Sequence, residues 1–128
     1  MIKYLLDTHV VLWVAQNSPL LSEKAKNAVL DTLSEKYVSI ASAWEVAIKL
    51  GTTKLDFIGD LPEFYNIIDD NGFDELCVER NYLSALKTLP LIHKDPFDRL
   101  LIATALAEDL TIVTIDENIQ KYDVKWIW

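Results

Sequence analysis

Residues 93–119 constrain the fold more than any other stretch of the chain. Asp95 falls where a helix N-cap belongs, Pro96 takes the first helical position and Asp98 the third. The next residues, Leu100-Leu101-Ile102-Ala103 onward, are apolar nearly all round, so their helix is expected to be buried on more than one side. After a tight turn, Thr111 to Ile115 are mostly β-branched and apolar, as suits an interior strand of a parallel sheet. Asp116 stands just past that strand. A helix packed between parallel strands runs antiparallel to them, which brings its N-terminus to the edge where the strands end. Asp98 and Asp116 are therefore expected to share the edge at which α/β folds place their sites.

The rest of the chain continues this pattern. Ile2 to Leu6 reads as a first strand ended by Asp7, and Thr8 to Ala15 as a short helix broken by Asn17-Ser18-Pro19. Ser22 opens a longer helix to about Leu33, with Ala25, Val29 and Leu33 on one face. Tyr37 to Ala41 reads as the second strand. Ser42-Ala43-Trp44-Glu45 then fits a capping box, opening a helix that stops at Gly51. Thr52-Thr53 and Gly59 supply turn material in the connection over 52–59, Pro62 opens a helix to Asp70, and Asn71-Gly72 closes it. Phe73 to Val78 reads as a third strand with Leu76 and Val78 inward, Glu79 to Leu89 as a helix, and Val124 to Trp128 as a last strand. Strands alternating with helices imply an α/β fold, a parallel sheet with helices on both faces.

The 128 residues are 51% hydrophobic with only three glycines, which is expected to give one domain with a substantial core. The formal charge of −8 is unlike that of a general nucleic-acid binder, which draws its affinity from excess Lys and Arg. It suits a site that gathers acids around a divalent cation. Cys77 is alone, which excludes a disulfide framework and fits a reducing compartment. The N-terminus turns acidic too soon for a signal peptide, and no apolar run is long enough to span a bilayer. A soluble, cytoplasmic protein without a membrane segment is expected.

Four carboxylates are predicted to meet at one edge of the sheet: Asp7 and Asp116 ending strands, Glu45 and Asp98 near the starts of helices. Asp95 is a fifth candidate. Each has a structural alternative. Asp95 and Asp98 can cap and favour a helix, Glu45 can complete the box with Ser42 or pair with Lys49, and Asp7 and Asp116 can cap the segments after their strands. Those alternatives account for each residue singly, not for the convergence of all four. Carboxylates held together repel one another, and a hard divalent cation reverses that repulsion by taking oxygen ligands. Thr8 and Thr114 flank the strand ends and offer hydroxyls to a ligand or a metal-bound water, or serve as turn residues. Arg99 and Lys94 flank the acids, available to phosphate oxygens or to surface ion pairs. His9 and His93 lack paired ligand spacing and read as incidental. There is no glycine-rich phosphate loop, and Cys77 has no context that would activate it.

At Leu5-Leu6-Asp7-Thr8-His9, Ser42-Ala43-Trp44-Glu45 and His93-Lys94-Asp95-Pro96-Phe97-Asp98-Arg99 running on to Asp116, the sequence resembles the PIN domain. Within it, the chain resembles the VapC-type toxin ribonucleases of toxin–antitoxin pairs. The resemblance covers essentially the whole chain. It implies a three-layer α/β/α fold with strand order 3-2-1-4-5 and cleavage of RNA dependent on Mg²⁺ or Mn²⁺. It also implies an acidic quartet of Asp7, Glu45, Asp98 and Asp116, a homodimer, and a cognate antitoxin that blocks the acidic pocket. Asp95 has no certain counterpart in that quartet. Trp13, Trp44 and Leu50 are open to two readings, antitoxin contact or core. Two rivals to the endoribonuclease remain: a receiver-like phosphoacceptor domain, and a non-catalytic module whose acidic pocket docks a basic peptide.

Overall fold

The structure, a computed structural model, describes residues 1–52 and 55–128. Its centre is a five-stranded parallel sheet in the order β3-β2-β1-β4-β5. The strands are β1 (Lys3–Leu6), β2 (Glu35–Ser39), β3 (Asp74–Leu76), β4 (Thr111–Val113) and β5 (Trp126–Ile127). Helices α1 (Thr8–Gln16), α2 (Glu23–Leu30), α3 (Ile40–Leu50), α4 (Leu61–Asp70), α5 (Arg80–Thr88), α6 (Pro96–Glu108) and α7 (Glu117–Gln120) flank it.

The pleat sorts β1 into two cores. Tyr4 and Leu6 face one side, where they join Val10, Val11, Ala25, Val29, Val46, Phe64 and Ile68 of α1 to α4. Leu5 faces the other, with Ile112 of β4 and Leu101, Ile102, Ala105, Ile119 and Tyr122. Layers of helices on both faces of the sheet result directly from this alternation. Helix α6 is buried from Leu100 to Ala105, as its apolar run predicts.

Several boundaries differ from the sequence reading. Helix α2 ends at Leu30, and Leu33 lies 79% exposed, because Ser34 turns the chain into β2. β2 stops at Ser39, whose hydroxyl accepts from the Ala41 N–H and caps α3, so Ser42-Glu45 is not the capping box. Both serines fit a cap locally, and pairing Ser39 with Leu76 of β3 ends the strand at the earlier one. In β3, Leu76 is only half-buried, while Cys77 and Val78 are exposed. A short helix, α7, comes after β4 where no helix is read from the sequence. Gly59 sits at φ +138°, in keeping with its turn role, whereas Thr53 lies outside the described residues. No helix among the described residues is long and apolar enough to cross a membrane.

Candidate metal and active site

The parallel register builds the first half of the site. Leu6 pairs with Val113, so the next residues, Asp7 and Thr114, emerge side by side. Asp7 donates its backbone N–H to the Val113 carbonyl, and Thr114 Oγ1 donates to Asp7 Oδ2 at 2.7 Å. The same hydroxyl accepts the Asp116 N–H at 3.0 Å, tying the two strand ends together. Asp7 occupies the N-cap position of α1, yet its side chain makes no capping bond there. Its carboxylate is buried, and burial pushes its pKa up, against the pull of the Thr114 hydrogen bond and the His9 charge.

The second half comes from the helices. Glu45 sits in the second turn of α3, not the first, since the helix begins at Ile40. Thr8 Oγ1 lies 2.9 Å from Ser42 Oγ and 2.7 Å from Glu45 Oε1. It has one proton to give, and the carboxylate is the stronger acceptor. Lys49 Nζ, one turn on, holds Glu45 Oε2 at 2.7 Å. Asp95 caps α6 through Oδ1, which accepts from the Phe97 and Asp98 N–H groups. Asp116 caps α7 through Oδ1, which accepts from Asn118 and Ile119. The capping alternative is therefore real for Asp95 and Asp116, but it engages one oxygen of each.

Asp98 is perturbed in the same direction as Asp7. Its carboxyl is pushed up to about 7, first by burial, then by the charges of Asp7 and Asp95, while the His93 hydrogen bond pulls it down. Asp116 adds to the same repulsion. Asp7, Thr8, Ser42, Glu45 and Asp98 line one cleft, walled by Phe97 and Leu101. The fold thus brings Asp7, Glu45 and Asp98 into that cleft, with Asp116 beside Asp98. The helix N-termini that open on this edge supply a positive field of partial charges.

Two residues are placed otherwise than their sequence context indicates. Arg99 neither faces the acids nor forms an ion pair among the described residues. Its guanidinium donates to the carbonyls of Pro90, His93, Leu86 and Leu89 and to the Tyr122 hydroxyl. His93, read as incidental, sets Nε2 2.7 Å from Asp98 Oδ2. One ligand atom each of His93, Asp98 and Asp116 fall within 4.8 Å of one another. The spacing His93-x-Asp95-Pro96-x-Asp98 was the available signal: a loop entering a capped helix folds back over its first turn. Lys94 is exposed. Leu50 packs against the core, Trp13 lies between the rings of His9 and Trp128, and Trp44 is 60% exposed with Phe97 edge-on to it.

The donor chemistry suits a hard cation. Among the described residues, no side chain donates to Asp7 Oδ1, Asp98 Oδ1 or Asp116 Oδ2. Carboxylate oxygens free of side-chain donors thus meet at the cleft and at Asp116 beside it, and Mg²⁺ and Mn²⁺ favour such donors.

The model of the PIN domain family matches residues 4–125. No match was found among curated protein sequences. Among solved structures, the chain is similar to a DNA-bound VapBC complex from Salmonella typhimurium, at 15% identity and a TM-score of 0.69, covering 99% of this chain and 98% of that one. A toxin–antitoxin complex from Klebsiella pneumoniae is similar at 14% identity and a TM-score of 0.67, covering 98% and 96%. The PIN domain endonuclease Utp24 is similar at 15% identity and a TM-score of 0.51, covering 92% and 74%.

Proposed function

The chain belongs to the PIN domain family, and from that premise we propose that it is a metal-dependent endoribonuclease, the toxin of a toxin–antitoxin pair, acting as a single domain over residues 1–128. The observation that carries this reading is the acidic cluster, in which Asp7 and Asp98 of the cleft and Asp116 beside them each keep a carboxylate oxygen to which no described side chain donates. These three residues would hold Mg²⁺ or Mn²⁺, directly or through water. A cation so bound supplies a Lewis acid that activates water and neutralises developing phosphate charge. It also allows a chain of net charge −8 to accept a polyanion.

The chain's own groups do the rest. Thr114 fixes Asp7 and the start of the Asp116 turn in one arrangement, and Thr8 fixes Glu45. Glu45 has both oxygens engaged, so its role is to complete the shell or to orient the attacking water. Phe97 and Leu101 shield one wall of the cleft from solvent, which strengthens every interaction inside it. In-line attack at phosphorus would leave a 3′-hydroxyl and a 5′-phosphate. The fold shared with toxin–antitoxin complexes supports a cognate antitoxin protein as partner, and an acidic cleft suits a basic side chain inserted by it. A homodimer and a cytoplasmic setting belong to the same reading.

A receiver-like phosphoacceptor is less well supported. It would need a lysine near the acids after a late strand. Lys125 instead pairs with Asp109, and Lys121 reaches Asn118. The test is cleavage of a labelled RNA pool by the wild-type protein beside Asp98→Asn prepared identically. Cleavage lost in the variant supports the nuclease, and equal cleavage in both overturns it.

A further inference from the structure

His93 belongs to no part of the proposed chemistry, yet the surrounding structure holds it at its backbone and at its ring. Its Nε2 lies 2.7 Å from Asp98 Oδ2, and its side chain is only 20% exposed. Its backbone N–H donates to the Tyr122 hydroxyl at 2.9 Å, and the neighbouring Ile92 N–H donates to the same oxygen at 3.2 Å. Its carbonyl accepts from Arg99 Nη1 at 3.4 Å. Arg99 Nη1 also reaches the Tyr122 hydroxyl at 3.0 Å and the Pro90 carbonyl at 2.9 Å. Tyr122 is itself 5% exposed and packed into the core beneath α6. Arg99 comes directly after Asp98 in α6, so the helix that carries the acid also carries one arm of the clamp that holds the histidine against it.

We propose that His93 is a positioning residue for the cation site, held by the Tyr122–Arg99 clamp and holding Asp98 by one oxygen so that Oδ1 is presented to the ion. The inference rests on the metal-dependent reading and extends it to residues outside the acidic quartet. With Asp98 ionised, both oxygens are acceptors, so His93 must be the donor, with its proton on Nε2. A carboxylate ligand pinned at one oxygen loses less freedom on binding an ion than one that rotates freely. Removing such an outer partner typically weakens metal affinity 10–100-fold. Because Nε2 is already engaged, His93 is assigned to orientation rather than to direct coordination.

The test is Mn²⁺ binding, measured by calorimetry and by pulsed EPR on the intact chain, for wild type, His93→Ala, His93→Gln and Tyr122→Phe. His93→Ala is expected to raise the Kd about 10–100-fold, and His93→Gln, whose amide keeps a donor in reach of Asp98, to recover most of it. Tyr122→Phe removes the hub of the clamp without touching an acid and is expected to weaken binding less, in the same direction. Metal-free melting temperatures report folding separately, and the glutamine variant and Tyr122→Phe carry the test should His93→Ala fold poorly. Wild-type binding with all three variants unchanged overturns this inference and leaves the metal site standing. A nitrogen coupling of the size given by a directly bound imidazole also overturns it, by placing His93 on the ion. No Mn²⁺ binding by the wild type overturns the metal-dependent reading and this inference with it.

Discussion

Asp98→Asn is expected to make the metal-free protein more stable. In the folded chain the Asp98 carboxyl rises from 3.8 to about 7, because burial and the Asp7 and Asp95 charges disfavour its ionised form. At about 1.4 kcal/mol per pKa unit, ionising it costs on the order of 4 kcal/mol, an upper bound because the repulsion is shared across the cluster. Asparagine removes the charge and retains an acceptor for His93. Allowing half of the bound, the variant gains about 2 kcal/mol at pH 8, roughly 5–10 °C in melting temperature for a chain of this size.

The sign with pH comes from linkage. A carboxyl whose folded pKa lies above its unfolded value binds its proton more readily in the folded state. Metal-free wild type therefore gains stability as pH falls from above 7 toward 4, and the advantage of the variant shrinks from pH 8 to pH 5. Metal inverts the order, since Mn²⁺ at a hundred times its Kd stabilises the wild type by about 2.7 kcal/mol and the variant far less. Thermal melts at pH 8 and pH 5, in EDTA and in Mn²⁺, read all four states. An Asp98→Asn variant that melts below wild type in EDTA at pH 8 would refute the reasoning, because the acids would then not be in conflict.

Other expectations are simpler. Lys49→Met leaves Glu45 without its cation and should lower metal-free stability by about 1–3 kcal/mol, less than a fully buried pair would lose. The same change removes a positive charge felt by Asp95 and Asp98, so Mn²⁺ should bind more tightly, as titration calorimetry would show. Ser39→Ala should cost about 1 kcal/mol by removing the α3 cap, whereas Ser42→Ala should leave the helix start intact and loosen Thr8, a contrast that hydrogen exchange at the Ala41 amide resolves. Phe64→Ala, at a fully buried core position, should cost about 3–5 kcal/mol in denaturant unfolding.

The fold and the convergence of acids were legible because both derive from period and topology. An apolar strand ending on Asp7 and another ending on Asp116 can be read residue by residue, and parallel pairing places their ends together. Several misread features depend on partners distant in sequence. Ser39 and Ser42 differ as caps only through the pairing of β2 with β3. His93 and Arg99 acquire their places through Tyr122, more than twenty residues away, and a lone histidine or arginine announces no such partner. Thr8 and Thr114 were visible as flanking hydroxyls, but which carboxylate each would hold depended on register.

The most direct measurement is restoration of RNA cleavage by metal. Wild-type protein is stripped with EDTA, mixed with an end-labelled RNA pool, and given back Mg²⁺ or Mn²⁺, and the termini of the products are determined. The expected result is no cleavage in EDTA and its return with metal, giving 3′-hydroxyl and 5′-phosphate ends. Cleavage that persists unchanged in EDTA, or that leaves 2′,3′-cyclic phosphates, would contradict hydrolysis by a cation held at Asp7, Asp98 and Asp116.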